Sequence, residues 1–457
     1  MNKKSITLLF ATLVSSSLFC QNLYITGGWL FTGLEDDVIE NPGLIIQRGK
    51  IISIGSESSP DNYETLQLTN EDYVLSGLVD LHAHYRVQAE GAVRDDTIAM
   101  PKIFLANGVT TTFPAGEIEP LKMRDLRIEI DQGNRAGPRI LNSGPYYGSA
   151  APDWNDDFTV EDVYARVDKW AALGARGFKA KNINAELLQA LIERAHQHGL
   201  TVTAHLNSGV GTSVNPQDAI LMGIDRIEHF LGGDLLSDTT AAYNSIARMD
   251  PADPRLDEII QLYVKRKVYF DPTINTYGSI AQLKTDAFQF WVDEKEFLTP
   301  YYKQVIGDPE RGSFGDLSEK LFAVKMKVIK RYYDAGGLIT LGTDRPYLQR
   351  SFLGFQMGGF SDHREMQLLS EAGIPNAEVI RIATLNSAKA IGLSDRLGTI
   401  EVGKWGDLMV IKGNPIQSIK NTRTVHTVIK GGVLYSTKEL LEAAKGKLGP
   451  ISADEWK

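Results

Sequence analysis

Gly77-Leu78-Val79-Asp80-Leu81-His82-Ala83-His84 is a short apolar run that ends in two histidines one residue apart. Side chains alternate faces along a strand, so His82 and His84 point one way, and Leu81 and Ala83 the other. Two imidazoles side by side at the C-terminal end of a strand make half of a metal site. Asp80, two residues earlier, shares their face and reads as a supporting group beneath them.

The stretch opens a repeating pattern. Further β-rich runs lie at 108–112, 139–143, 174–179, 200–205, 223–229, 267–272 and 338–344. Amphipathic helical segments separate them, including 160–173 and 185–198, the latter followed by Gly199 at the position that ends helices. Eight strands alternating with helices predict an α/β chain closed as a (β/α)8 TIM-type barrel over 77–393. One segment exceeds the repeat. The aromatic-rich stretch 287–302 is a candidate lid or a piece of peripheral packing.

Both ends of the chain read differently. Residues 21–76 and 394–440 carry short β-branched strands separated by turn residues, which predicts one small β-sandwich domain built from both ends. Residues 441–457 read as a C-terminal tail. Lys3 and Lys4 precede an apolar, Ser-containing run over 6–19, the pattern of a signal peptide over 1–20. Export to the periplasm or the outside is therefore expected. Cys20 is the single cysteine, so lipid attachment there is a lesser alternative; Phe19 before it is large for that.

Composition narrows the class. The 457 residues are 43% hydrophobic and 23% charged, with a formal net charge of −9. An acidic balance without a basic face, zinc finger or helix-turn-helix pattern argues against nucleic acid as a partner. No run after the first twenty residues is long and apolar enough for a stable membrane span. A homo-oligomer is left open.

A barrel of this type carries its chemistry at the C-terminal strand ends. There stand His82 and His84 (first strand), Lys179 (fourth), His205 (fifth), His229 (sixth) and Asp344 (eighth). Imidazoles and an anionic oxygen suit one or two divalent cations, with zinc the best match to a histidine-rich set. Lys179 ligates only when neutral or converted to a carbamate. Lys181, two residues on, shares its face and is the alternative.

This ordered set resembles the amidohydrolase superfamily. The C-terminal stretches Ala383-Thr384-Leu385-Asn386-Ser387-Ala388 and Gly398-Thr399-Ile400-Glu401-Val402-Gly403-Lys404-Trp405-Gly406-Asp407 are similar to its imidazolonepropionase-like and peptidase-like members. The resemblance implies that His82 and His84 bind a buried metal, His205 and His229 a more exposed one, and that carbamylated Lys179 bridges them. It also implies that Asp344 contacts the buried metal and serves as the catalytic acid–base for a metal-activated hydroxide. The expected reaction is hydrolysis of a carbon–nitrogen bond in a small amide, dipeptide, N-acyl amino acid or cyclic amide. The alternatives are a lactonase or phosphotriesterase on the same metals, and a barrel that binds metal or ligand without turnover.

Arg86 and Arg345 lie close to motif residues and could grip a substrate carboxylate. Tyr147 is a further substrate-binding candidate; Tyr146 and Tyr277 stand at similar strand ends. His363 reads as a cap or a loop residue near substrate, and His196, His198 and His426 as structural. Glu228 adjoins His229, and strict alternation would turn it to the opposite face.

Overall fold

The computed structural model describes residues 22–89, 91–155, 157–206, 214–231, 242–308, 311–312, 314–345 and 356–456. The expected signal segment with Cys20 lies outside them. Eight parallel strands make up the middle of the chain. They are β1 (Leu78–Ala83), β2 (Val109–Pro114), β3 (Arg139–Ile140), β4 (Gly177–Lys181), β5 (Thr201–His205), β6 (Arg226–Glu228), β7 (Tyr269–Asp271) and β8 (Leu338–Ile339). They pair in two all-parallel arcs, β3-β2-β1 and β4-β5-β6-β7-β8.

Backbone hydrogen bonds cross both seams between the arcs. On one side Leu81 N donates to Leu341 O (2.9 Å), Asp344 N to His82 O (2.9 Å) and His84 N to Arg345 O (3.0 Å). On the other, Arg176 N donates to Asn142 O (2.8 Å), Tyr147 N to Lys179 O (2.9 Å) and Lys181 N to Tyr147 O (2.8 Å). The first seam is what carries the β1 histidines to Asp344, across more than 250 residues of sequence.

The helices between strands follow ordinary rules. Helix Val160–Ala172 starts at a reciprocal cap: Thr159 Oγ1 accepts from Asp162 N and the Asp162 carboxylate accepts from Thr159 N. Helix Ala185–Gln197 is capped by Asn184 and buries Leu187, Leu188, Leu191, Ile192 and Ala195 on one face. Gly199 follows it with φ +66°, the left-handed geometry glycine adopts without cost. Each fully buried leucine on such a face stabilises by roughly 1.5–3 kcal/mol.

Two further sheets come from the chain ends. One pairs Lys50–Ser53, Leu44–Gln47, Leu23–Thr26 and Glu64–Gln67. The other runs Val433–Ser436, Thr427–Lys430, Leu408–Lys412, Asp72–Ser76, Trp29–Phe31 and Val38–Glu40. Leu23, Leu44 and Ile46 of the first meet Val74, Leu408, Val410 and Ile429 of the second in one apolar cluster.

The C-terminal segment is not a loose tail. Helix Thr437–Ala444 packs on helix Met100–Ala106, burying Leu440 and Ala444, and Leu448 exchanges backbone bonds with Phe297 and Thr299. The apolar spacing inside 437–444 gives the reason: a helix with one apolar face is driven to cover it. The 287–302 stretch packs against helix Phe360–Glu371. Trp291 and Phe297 each lie 5.9 Å from the Phe360 ring, and Glu294 forms a buried ion pair with Arg364. Tyr302 Oη bonds both N and O of Gln88 at 3.0 Å. Among the described residues no helix is long and apolar enough to cross a membrane.

Candidate metal centre

The six expected ligands stand in or beyond the C-terminal half of their strands, Lys179 midway along β4 and Asp344 five residues past β8, each less than a tenth exposed. The β1 histidine rings are 5.3 Å apart, His82 lies 4.9 Å from His229, and His205 lies 4.3 Å from His229. Asp344 Oδ1 is 3.0 Å from His84 Nε2 and 3.6 Å from His82 Nε2. Ligand atoms of His82, His84 and Asp344 all fall within 4.8 Å of one another, as do those of His82, Glu228 and His229.

Glu228 corrects the alternation argument. It is fully buried and faces the cluster, 3.6 Å from His82 Nδ1 and ion-paired with Lys179. The reason is local backbone. His229 has φ +65°, so the strand ends at Glu228 and the chain turns before the next side chain is placed. Glu228 and His229 therefore converge instead of diverging. Asp271, the last residue of β7, was also not singled out; its Oδ2 lies 3.2 Å from His82 Nδ1. Gly342 makes room for it, since a Cβ there would fall on the Asp271 carboxylate.

Of the two lysines, Lys179 enters the cluster. It is 1% exposed and meets Glu228, whereas Lys181 is half-buried beside His205 in the β4–β5 register. Asp80 takes the supporting place expected of it, accepting from His82 N and from Thr343 Oγ1, both at 2.8 Å.

The substrate-contact candidates divide. Arg86 is half-buried, and its charge acts on both His84 and Asp344. Arg345 is instead wholly buried and donates from Nη2 to Thr276 O at 3.1 Å, tying the end of the eighth strand segment to helix Ile274–Ile280. Tyr147 is also wholly buried, packed on Phe178 and Trp154. Tyr146 lines a groove with Glu117, Phe158 and Arg166, and Tyr277 is buried 6.4 Å from the His229 ring. His363 bonds Asn107 O and Thr422 Oγ1, away from the cluster. Tyr243, which the sequence did not flag, puts its hydroxyl 3.4 Å from His205 Nε2.

Burial sets the charge states. It drives His82, His205 and His229 well below the ordinary histidine range, helped by neighbouring cations, and takes His84 to about 4 against the pull of Asp344. The imidazoles are thus neutral near pH 7, the form in which they donate to a metal. For Asp344, burial works to raise the carboxyl, but the His84 hydrogen bond, His229 and Arg86 hold it below the ordinary range. His229 Nδ1 lies 2.6 Å from Thr273 Oγ1, whose own proton goes to Pro272 O. That arrangement puts the imidazole proton on Nδ1 and leaves the Nε2 lone pair facing the cluster. The buried Asp271 Oδ1 accepts no hydrogen bond among the described residues. Burial pushes the Asp271 carboxyl well above its ordinary range. Neutral imidazoles, the ionised Asp344 and the unused Asp271 oxygen together fit a divalent cation, whose charge would offset that burial.

Fold and side chains together define a class: an α/β protein of parallel strands with histidines and carboxylates, candidate metal-binding groups, crowded near the C-terminal strand ends. The model of the amidohydrolase family matches residues 73–435, and the chain belongs to that family. An uncharacterized protein of Mycobacterium tuberculosis is 29% identical over 184 residues, 37% of this chain and 47% of that protein. Imidazolonepropionase of Bacteroides fragilis is 41% identical over 61 residues, 13% of this chain and 15% of its own. The chain thus spans less than half the length of these curated relatives. A solved Xaa-Pro dipeptidase with methionine bound in its active site is similar with a TM-score of 0.67 at 24% identity, over 91% of this chain and 100% of that one. That likeness shows a shared fold.

Proposed function

We propose that the protein hydrolyses a carbon–nitrogen bond in a small amide, with dipeptides and N-acyl amino acids as the preferred class. The observation that carries the reading is the convergence of His82, His84, His205, His229, Lys179 and Asp344 on one buried cluster. The reading includes closure of the two arcs as one (β/α)8 barrel over 77–393, for which the hydrogen bonds at both seams speak. It also takes the two end sheets as a β-sandwich domain over 21–76 and 394–440, and export of the chain.

His82, His84 and Asp344 would hold one ion, and His205 with His229 a second; zinc suits this donor set. When bound, such ions supply Lewis acidity and a lowered water pKa. The protein's own groups do the rest. Asp344, held ionised, takes a proton from the attacking water and returns it to the leaving nitrogen. Arg86, beside His84 and Asp344, holds a substrate carboxylate as a bidentate partner. Lys179 is paired with Glu228 here, so a carbamate on Lys179 requires that carboxylate to give up its partner to a metal or a proton.

The test is a substrate panel on the full chain prepared with zinc and bicarbonate. Dipeptides or N-acyl amino acids should turn over, and carboxamide analogues lacking the carboxylate should be slower. Turnover confined to lactones or phosphotriesters would overturn the carbon–nitrogen assignment.

A further inference from the structure

A three-residue turn ends β6. Phe230 N donates to Glu228 O at 2.7 Å across the single residue His229, whose φ is +65°. A turn of this length with positive φ is rare and strained, and left-handed backbone costs a non-glycine residue roughly 1–2 kcal/mol. The strain has a use, because this turn brings the Glu228 and His229 side chains to the same side. Something must hold it. On the N-terminal side, His229 N donates to Asp271 O at 2.9 Å. On the C-terminal side, the His229 carbonyl accepts from Lys325 Nζ.

Lys325 is an odd residue for its place. It lies in the middle of helix Phe314–Asp334, between β7 and β8, and is 6% exposed. Its nitrogen faces the rings of Tyr277, Phe230 and Phe270 at 4.7, 5.7 and 5.8 Å. The hollow beside it is lined by Leu231, Ile246, Met249 and Val328, which offer no acceptor. Among the described residues no carboxylate lies within ion-pair distance of it, although the charges of Glu365, Asp271 and Asp344 reach it, and the His229 carbonyl is its hydrogen-bond acceptor. Burying an amine among aromatic and aliphatic groups is costly unless its bond counts. That bond forms whether the amine is charged or neutral.

We infer that Lys325 is a positioning residue for the metal cluster: it clamps the His229 carbonyl and so fixes the turn that aims Glu228 and His229 together. The inference rests on the reading that His205 and His229 hold an ion. Lys325→Met keeps the length of the stem and removes the donor. Val328→Ala opens space on the same helix face without touching the turn. Two quantities are read on the full chain: zinc affinity and stoichiometry by chelator competition, and hydrogen exchange over 226–231 in the metal-free protein. K325M should lose about tenfold or more in affinity for the second ion, in line with the usual cost of removing a supporting group. It should also exchange faster over 226–231, while V328A matches the unaltered chain in both. Equal affinity and exchange in K325M, or the same losses in V328A, would overturn the clamp. An unaltered chain that binds no second ion would sink the site reading, while the exchange comparison still judges the clamp. Should K325M fail to fold, Lys325→Arg takes its place. Retained protection over 226–231 supports the clamp, because a donor remains, and lost protection overturns it.

Discussion

His229 and Asp344 reach the metal cluster through backbone that L-residues avoid, with φ of +65° and +51°. Thr273, which orients His229, has φ +46°. Such strain gathers at working sites because the surrounding structure holds it. It is also why the expected set His82, His84, Lys179, His205, His229 and Asp344 could be read from the sequence while the entry of Glu228 beside His229 could not. His82 and His84 keep strict alternation inside β1, so their shared face was legible. Glu228 and His229 straddle a turn, where alternation no longer applies. The role given to Asp344 makes a sharp prediction at this scale. Asp344→Asn keeps the shape and removes the base, so kcat should fall by about 10²–10⁴-fold. Bound metal, measured by elemental analysis, should persist at the remaining ligands. Near-normal turnover in that variant would remove the proton-transfer role.

At the next scale, the strands and helices place these residues. Three of the parallel strands stop where a cluster residue stands, at His205 in β5, Glu228 in β6 and Asp271 in β7. The helices between them were legible because their caps and apolar faces are local. Helix Val160–Ala172 begins at Thr159 with its partner Asp162 three residues on. Thr159→Ala should therefore lower stability by about 0.5–2 kcal/mol in urea denaturation, with the site geometry unaffected. A loss below the error of the measurement would mean that tertiary packing alone sets the start of the helix. The 287–302 stretch was ambiguous for the opposite reason. Its aromatic residues suit a lid or a packed edge equally, and only the partners Phe360 and Arg364 decide for packing in this structure.

At the scale of the whole molecule, three remote segments are joined through one side chain. His363 bonds Asn107 O at 3.0 Å and Thr422 Oγ1 at 3.1 Å, linking helix Phe360–Glu371 to the end of helix Met100–Ala106 and to Ile419–Thr424. Burial, reinforced by the charge of Arg423, lowers its pKa to about 3. The unfolded chain takes up this proton near the ordinary histidine value, about 6.5, and the folded chain does not. The histidine's contribution is therefore complete above about 6.5 and is lost as pH falls towards 3, at up to roughly 1.4 kcal/mol per pH unit. Comparing unfolding free energies from pH 7 to 4, His363→Gln should show a shallower acid-side decline than the unaltered chain. Parallel declines would show that this proton is not coupled to folding. The sequence by itself determined the alternation of strands and helices, the histidines, lysine and aspartate gathered near the strand ends, and the change of style at both chain ends. These are local properties, written in periodicity and residue type. Only the tertiary structure decided that Lys179 and not Lys181 enters the cluster, that Glu228 and Asp271 join it, and that Arg345 and Tyr147 are wholly buried. It likewise decided that 437–444 docks as a helix. Each of those outcomes depends on a turn after a strand, or on contacts between residues far apart in the chain, and neither is encoded in the period of any single element.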